Sequence, residues 1–214
     1  MDKLSQEQVW DIIGRDWKTF RVKTPLEVQE FLKDKKGKIL DLGCGSGRNL
    51  VKQKGLEWYA VDFSSKMLEY ARKSARKKNV KAKFFKATAS EMPFEDDFFD
   101  AAIFISTLHC IEGEKARKRA LKELYRVMKK NTELMITVWD KSRSRQKEFE
   151  NIGREFYMDW KSQGKAFKRY IYLYEQKELE KEVKKAGFKV LAEEVKLKMK
   201  DKHSKKNIIL YCKK

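Results

Sequence analysis

Proline occurs only at Pro25 and Pro93 in the 214 residues, so no proline-rich linker divides the chain. Cysteine is as scarce: Cys44, Cys110 and Cys212 are the whole set, with no Cys-x-x-Cys pair. That spacing excludes a disulfide scaffold and a zinc framework, and points to a reducing, cytoplasmic compartment with no bound metal. There are only two histidines, which leaves little material for imidazole-based acid–base chemistry. No apolar run approaches the ~18 residues a membrane span needs, and the opening MDKLSQEQVW has no apolar signal core. Neither a membrane span nor an export signal is expected.

Cation is what the sequence has in excess. Lys and Arg total 51 against 32 Asp and Glu, a net charge of +19. An excess of this size suits a polyanion, because each phosphate neutralised releases counterions. Nucleic acid is the first candidate and a membrane surface a weaker one. A lysine-rich, ion-paired surface with no such partner remains the plain alternative. The basic runs 33–38, 72–83, 141–147 and 196–206 are each readable as a solvated face; together they fit a large folded anion.

Hydrophobic periodicity predicts one α/β domain over 1–214: N-terminal helices (1–36), a core (37–140), an insertion (141–175), and a C-terminal helix and strand pair (176–214). Val9, Trp10, Ile13, Trp17 and Phe20 share a helical face. Thr24-Pro25-Leu26-Glu27 reads as a capping box with proline at the first helical position. Short apolar strands at 38–42, 58–61, 83–86, 101–105 and 134–139 alternate with helices at 49–54, 66–77 and 115–128. That order predicts a doubly wound, mostly parallel sheet. Residues 140–168 read as loop with a short helix near 149–160. A helix over 176–186 stops at Gly187, and strands near 189–197 and 208–212 close the chain as an antiparallel pair.

The sharpest motif is Asp41-Leu42-Gly43-Cys44-Gly45-Ser46-Gly47, placed between a strand and a helix. Glycines let a backbone turn tightly and approach a ligand. The next strand ends at Asp62, 21 residues on, where a carboxylate suits a ribose diol. A dinucleotide pyrophosphate would be repelled by Asp41. A cationic amino-acid cofactor would be attracted by it, and S-adenosyl-L-methionine carries an ammonium, a sulfonium and a ribose. A glycine turn without any ligand is the plain alternative.

These residues resemble the motifs of class I S-adenosylmethionine-dependent methyltransferases. Asp41–Gly47 is similar to the first motif and Val61-Asp62-Phe63-Ser64 to the second. Ala87-Thr88-Ala89 through Met92-Pro93-Phe94 is similar to the third, and Phe98-Phe99-Asp100 to the approach to the fourth. Leu121–Met128 with Thr132–Val138 is similar to the fifth. The resemblance implies a Rossmann-like, seven-stranded, mostly parallel sheet with an antiparallel C-terminal strand. It implies cofactor contacts from Asp41, Gly43, Cys44, Gly45, Gly47, Asp62, Phe63, Thr88, Ala89 and Ile105. Thr88 departs from the Asp found there in many relatives, and accepts a hydrogen bond more weakly.

The fourth strand runs into Ile105-Ser106-Thr107-Leu108-His109-Cys110, with no Asn-Pro-Pro-Tyr turn of the kind that grips a planar amino group. Cys110 lacks the preceding proline of cytosine-C5 enzymes and reads as a small buried residue. Further on, Arg169-Tyr170-Ile171-Tyr172-Leu173-Tyr174, Glu178-Leu179 and Ala186-Gly187-Phe188 resemble the late segment of the tRNA wobble-uridine carboxymethyl methyltransferases. Tyr172 stands where that family often has His. The resemblance implies a tRNA partner and esterification of 5-carboxymethyluridine. It also implies a small zinc-binding activator protein as a further partner. Arg21 and Arg169 would orient the acceptor, His109, Tyr170 and Tyr172 would bond or stack on the uridine, and Trp139 would form a pocket wall. A small-molecule or quinone methyltransferase, an RNA-binding protein with a vestigial cofactor pocket and an NAD-dependent reductase are the alternatives. For His109, Trp139 and the alternating tyrosines, core packing competes with a role in the site.

Overall fold

A computed structural model describes residues 4–20, 22–142, 153–191 and 207–214. Seven strands form one sheet in the order β3-β2-β1-β4-β5-β9-β8. They are β1 (Gly37–Leu42), β2 (Leu56–Asp62), β3 (Ala82–Lys86), β4 (Phe99–Ile105), β5 (Met128–Trp139), β8 (Lys189–Val190) and β9 (Asn207–Lys213). β1 to β5 pair in parallel; β9 runs antiparallel to both β5 and β8. This is the expected doubly wound sheet, with the C-terminal pair confirmed as antiparallel. Ile39, Leu40, Ala101, Ala102, Ile103 and Phe104 are wholly buried, as strands covered on both faces must be. No described helix is long and apolar enough to cross a membrane.

The helices are α1 (Gln6–Phe20), α2 (Leu26–Leu32), α3 (Ser65–Lys77), α4 (Glu114–Val127) and α5 (Gln176–Lys185). Val9, Trp10 and Ile13 of α1 are buried against Met67 of α3, but Phe20, on the same helical face, projects beyond the core and is 69% exposed. α1 also caps α3: Asp11 Oδ1 accepts from Lys66 N–H and from the Ser64 hydroxyl, which itself accepts from Met67 N–H. A carboxylate there satisfies orphan amides and suits the positive end of the helix.

Three expectations are corrected. Thr24 does not cap α2; Pro25 occupies the cap position, and the Thr24 hydroxyl donates instead to the Arg48 carbonyl at 2.6 Å. The helix expected over 49–54 does not form, and turns give way to chain without regular structure. The ammonium of Lys78, just past α3, donates to the carbonyls of Gly47, Arg48 and Leu50 at 2.8–3.2 Å. Those are acceptors a helix would have spent on its own amides. Finally, 155–172 is a β-hairpin rather than loop: β6 (Glu155–Ser162) and β7 (Lys165–Tyr172) pair antiparallel through a two-residue turn. Gln163 and Gly164 both have positive φ, 51° and 75°, as a type I′ turn requires. The expected short helix near 149–160 lies partly outside the described residues. The strand expected over 189–197 is described only to residue 191.

Replacing Lys78 with Met strands three carbonyls beside a buried loop. Stability is expected to fall by about 2–3 kcal/mol, read as a drop in the denaturation midpoint, with Lys78→Arg recovering most of it. A Met variant as stable as the parent would remove Lys78 as the tie.

Candidate active site

β1, β2 and β4 end at the same edge of the sheet, and one cavity of about 280 Å³ opens there. Its cofactor side is lined by Gly43, Cys44, Gly45, Asp62, Phe63, Thr88, Ala89 and Ile105, all expected from the sequence. Gln6, Trp10, Trp17, Arg48, Asn49, Ser106, Thr107, Cys110 and Glu112 also line it and were not foreseen as site residues.

The glycine bend is built by exclusion. A Cβ on Gly43, at φ +70°, would run into the Thr107 side chain, and one on Gly47, at φ +76°, would come within 3.0 Å of Ala71 Cα. Asp62 holds the bend in place, its two oxygens accepting from Gly45 N–H at 2.8 Å and Ser64 N–H at 2.9 Å. Burial pushes the Asp62 carboxyl up to about 6 from an ordinary 3.8, against the pull of those amides.

Asp41 stands just behind the wall, fully buried. Burial pushes its carboxyl up to about 7, opposed by the Asn49 amide and the Arg48 guanidinium. Asn49 Nδ2 donates to Asp41 Oδ1 at 3.5 Å. Asp41 Oδ2 and Asn49 Oδ1 are both buried acceptors without a partner. Unspent acceptors in such a place cost free energy until a donor arrives. An ammonium group, with three N–H donors, fits that pair; a pyrophosphate does not.

Ser106, at the end of β4, holds φ +53°, unusual for a non-glycine residue. Its N–H is held by Thr137, through the carbonyl at 3.0 Å and the hydroxyl at 2.9 Å. The only sequence signal for this position is its location after the fourth strand. Cys110 was read as buried, but it is half-buried and faces the cavity.

Among the described residues, those expected to take the acceptor are not on the wall. His109 is buried and stacks on Trp139 with centroids 5.3 Å apart. The Tyr170 hydroxyl donates to Glu155 at 2.6 Å and accepts from Arg117 Nη1 at 2.8 Å. The Tyr172 hydroxyl donates to Glu178 at 2.5 Å, and its ring carries the Arg117 guanidinium 3.8 Å from its centroid. These groups tie β7 to α4 and α5, which accounts for their alternation. Arg169 lies one layer back, boxed by the rings of Trp10, Trp17 and Trp160 at 5.0–5.6 Å. Arg21 lies outside the described residues.

Residues 40–136 match the family model described as a methyltransferase domain. The chain carries an S-adenosylmethionine-dependent methyltransferase domain. A tRNA (carboxymethyluridine(34)-5-O)-methyltransferase of Arabidopsis thaliana is 30% identical over 141 residues, covering 65% of this chain and 33% of that protein. The chain spans a third or less of the length of the first two curated relatives it matches. A solved S-adenosylmethionine-dependent methyltransferase of Thermotoga maritima superposes with a TM-score of 0.60 at 26% identity, covering 85% of this chain and 81% of that one. A chain of the complex between the Haloferax volcanii Trm112 methyltransferase activator and a methyltransferase has a TM-score of 0.68 at 15% identity, covering 100% and 99%. That likeness is one of fold.

The methyltransferase cofactor supplies an electrophilic methyl group on a sulfonium. Asp41 and Asn49 would hold its ammonium, Asp62 its ribose, and Thr88 and Ala89 the adenine edge. Because the folded state holds the Asp41 proton more tightly than the unfolded chain, this group's contribution to stability is full below pH 3.8. It is lost as pH rises through about 7. A bound cation reverses that preference and expels the proton. Calorimetry in buffers of differing ionisation enthalpy is therefore expected to find roughly half a proton or more released per cofactor at pH 6.5, declining towards pH 8. Asp41→Asn should abolish the release; an unchanged release in that variant would place the proton elsewhere.

Proposed function

We propose that this methyltransferase acts on tRNA, esterifying the carboxylate of 5-carboxymethyluridine at the wobble position. The observation that carries the reading is Arg169, a buried guanidinium with no carboxylate partner among the described residues. Its Nη2 donates to the thioether of Met158 at 3.2 Å, and its Nε has no partner. Burial holds its pKa below the usual range, and the titratable neighbour acting on it is Cys110, which faces the cavity. A buried, uncompensated cation is costly and is answered by an anionic substrate group.

The acceptor side of the cavity supports the same chemistry. Neither histidine nor lysine lines it, and its one carboxylate there, Glu112, takes the hydroxyl of Tyr157. A carboxylate acceptor is ionised at neutral pH and needs no base, only alignment with the methyl–sulfur bond. The surplus of cations suits a tRNA backbone, and relatives named for this reaction support the choice of acceptor. A small zinc-binding activator protein, in a cytoplasmic setting, belongs to the same proposal, with the Trm112 complex as its support in fold.

Arg169→Met removes the charge and keeps much of the volume. Turnover on tRNA carrying 5-carboxymethyluridine is expected to fall about 10- to 100-fold, with cofactor affinity within about twofold. The melting temperature should hold or rise, because an unpaired buried charge has been removed. Undiminished turnover would take Arg169 out of the reaction, and a collapse in melting temperature would make it structural.

A further inference from the structure

An aromatic chain leads out of the cavity to the surface. Trp10 and Trp17 line the cavity wall and meet edge to face at 5.0 Å. Trp17 meets Trp160 of the hairpin at 5.2 Å, and Trp160 meets Phe20 at 5.4 Å and 82°. Phe20 ends this aromatic chain and is 69% exposed. Nearby, Val22 is 63% and Leu26 58% exposed, so most of the large apolar exposure of the described residues collects at the α1–α2 junction. A fold that buries so many aromatics has no packing need for this one, and a concentrated patch of this kind marks a contact surface.

The surroundings of the patch are cationic. Arg15 and Lys23 flank Phe20 in sequence and are exposed, against the single acid Asp16, whereas the Lys18 ammonium is drawn over the Tyr70 ring, 4.3 Å from its centroid. Register places Lys165, also exposed, on the hairpin face that carries Trp160. A ring face bordered by cations is what single-stranded RNA offers bases and phosphates to, because every base has a π-face and stacking tolerates any sequence.

We propose that Phe20, backed by Trp160, is a stacking platform for a nucleobase adjoining the acceptor nucleotide, with Lys23 and Lys165 taking neighbouring phosphates. The proposal rests on the RNA reading above and adds a site outside the cofactor cavity.

The test is binding of a 17-nucleotide anticodon stem-loop bearing 5-carboxymethyluridine, over a salt series, to the full chain. Phe20→Ala is expected to weaken binding about 5- to 100-fold, while Phe20→Trp retains it. The salt slope should stay the same in both, as should the Kd for S-adenosylmethionine. Lys165→Gln should instead lower the slope by about one unit. Equal affinity in Phe20→Ala and the parent overturns the platform and leaves the tRNA reading standing. A parent chain that binds the stem-loop weakly and without salt dependence sinks both. A change of oligomeric state in Phe20→Ala with RNA affinity intact assigns the patch to protein contact and overturns the platform.

Discussion

The site depends on keeping two carboxylates out of water around a backbone bend that has no room for side chains. Asp41 ends one strand and Asp62 the next, and both are charged only at a cost. Asp62 recovers part of that cost from the amides of Gly45 and Ser64, and so fixes the bend. Asp41 recovers much less, because its second oxygen has no donor. The asymmetry divides the labour: one acid is structural before it is functional, and the other is left wanting a cation. A burial cost that a ligand relieves becomes affinity for that ligand.

From Asp62 the same bonding continues outward. Ser64 passes it to Asp11 of α1, and α1 passes it to the hairpin through Gln6, whose Oε1 accepts from Tyr170 N–H and whose Nε2 donates to the Lys168 carbonyl. Gln6 also lines the cavity. The wall facing the sheet is therefore assembled from two elements outside it, α1 and β6–β7, latched to each other by one side chain and to the cofactor edge by another. Motion that widens the cavity must strain one of these latches.

Much of this was legible in the sequence, and the parts that were not share a cause. The glycine bend, Asp62 and the strand order are local signals: short apolar runs, fixed spacings and turn residues. The helix expected over 49–54 failed because its carbonyls belong to Lys78, some 30 positions away, and no local pattern reports that competition. Thr24 failed as a cap for the same reason, its hydroxyl being drawn to Arg48. The hairpin at 155–172 did leave a mark, Gln163-Gly164 between alternating aromatics, which charge on both sides obscured. For Tyr170 and Tyr172, the motif located the strand correctly but not the direction of the hydroxyls, which Arg117, Glu155 and Glu178 claim.

At Arg169, stability and the proposed function pull in opposite directions. Its tryptophan box supplies ring faces, each worth roughly 0.5–2 kcal/mol to a cation, but no counter-charge. A carboxylate in that box would make a better-satisfied interior and would also neutralise the group that the proposed anionic acceptor would need. The acceptor cannot be held too firmly either, since a fully paired carboxylate is a poor nucleophile. For the proposed reaction, a guanidinium screened by indoles one layer behind the cavity wall would meet both conditions, acting on the acceptor through its field without locking it by hydrogen bonds. The same three tryptophans thus pack a buried cation and form the inner part of the aromatic chain that reaches Phe20.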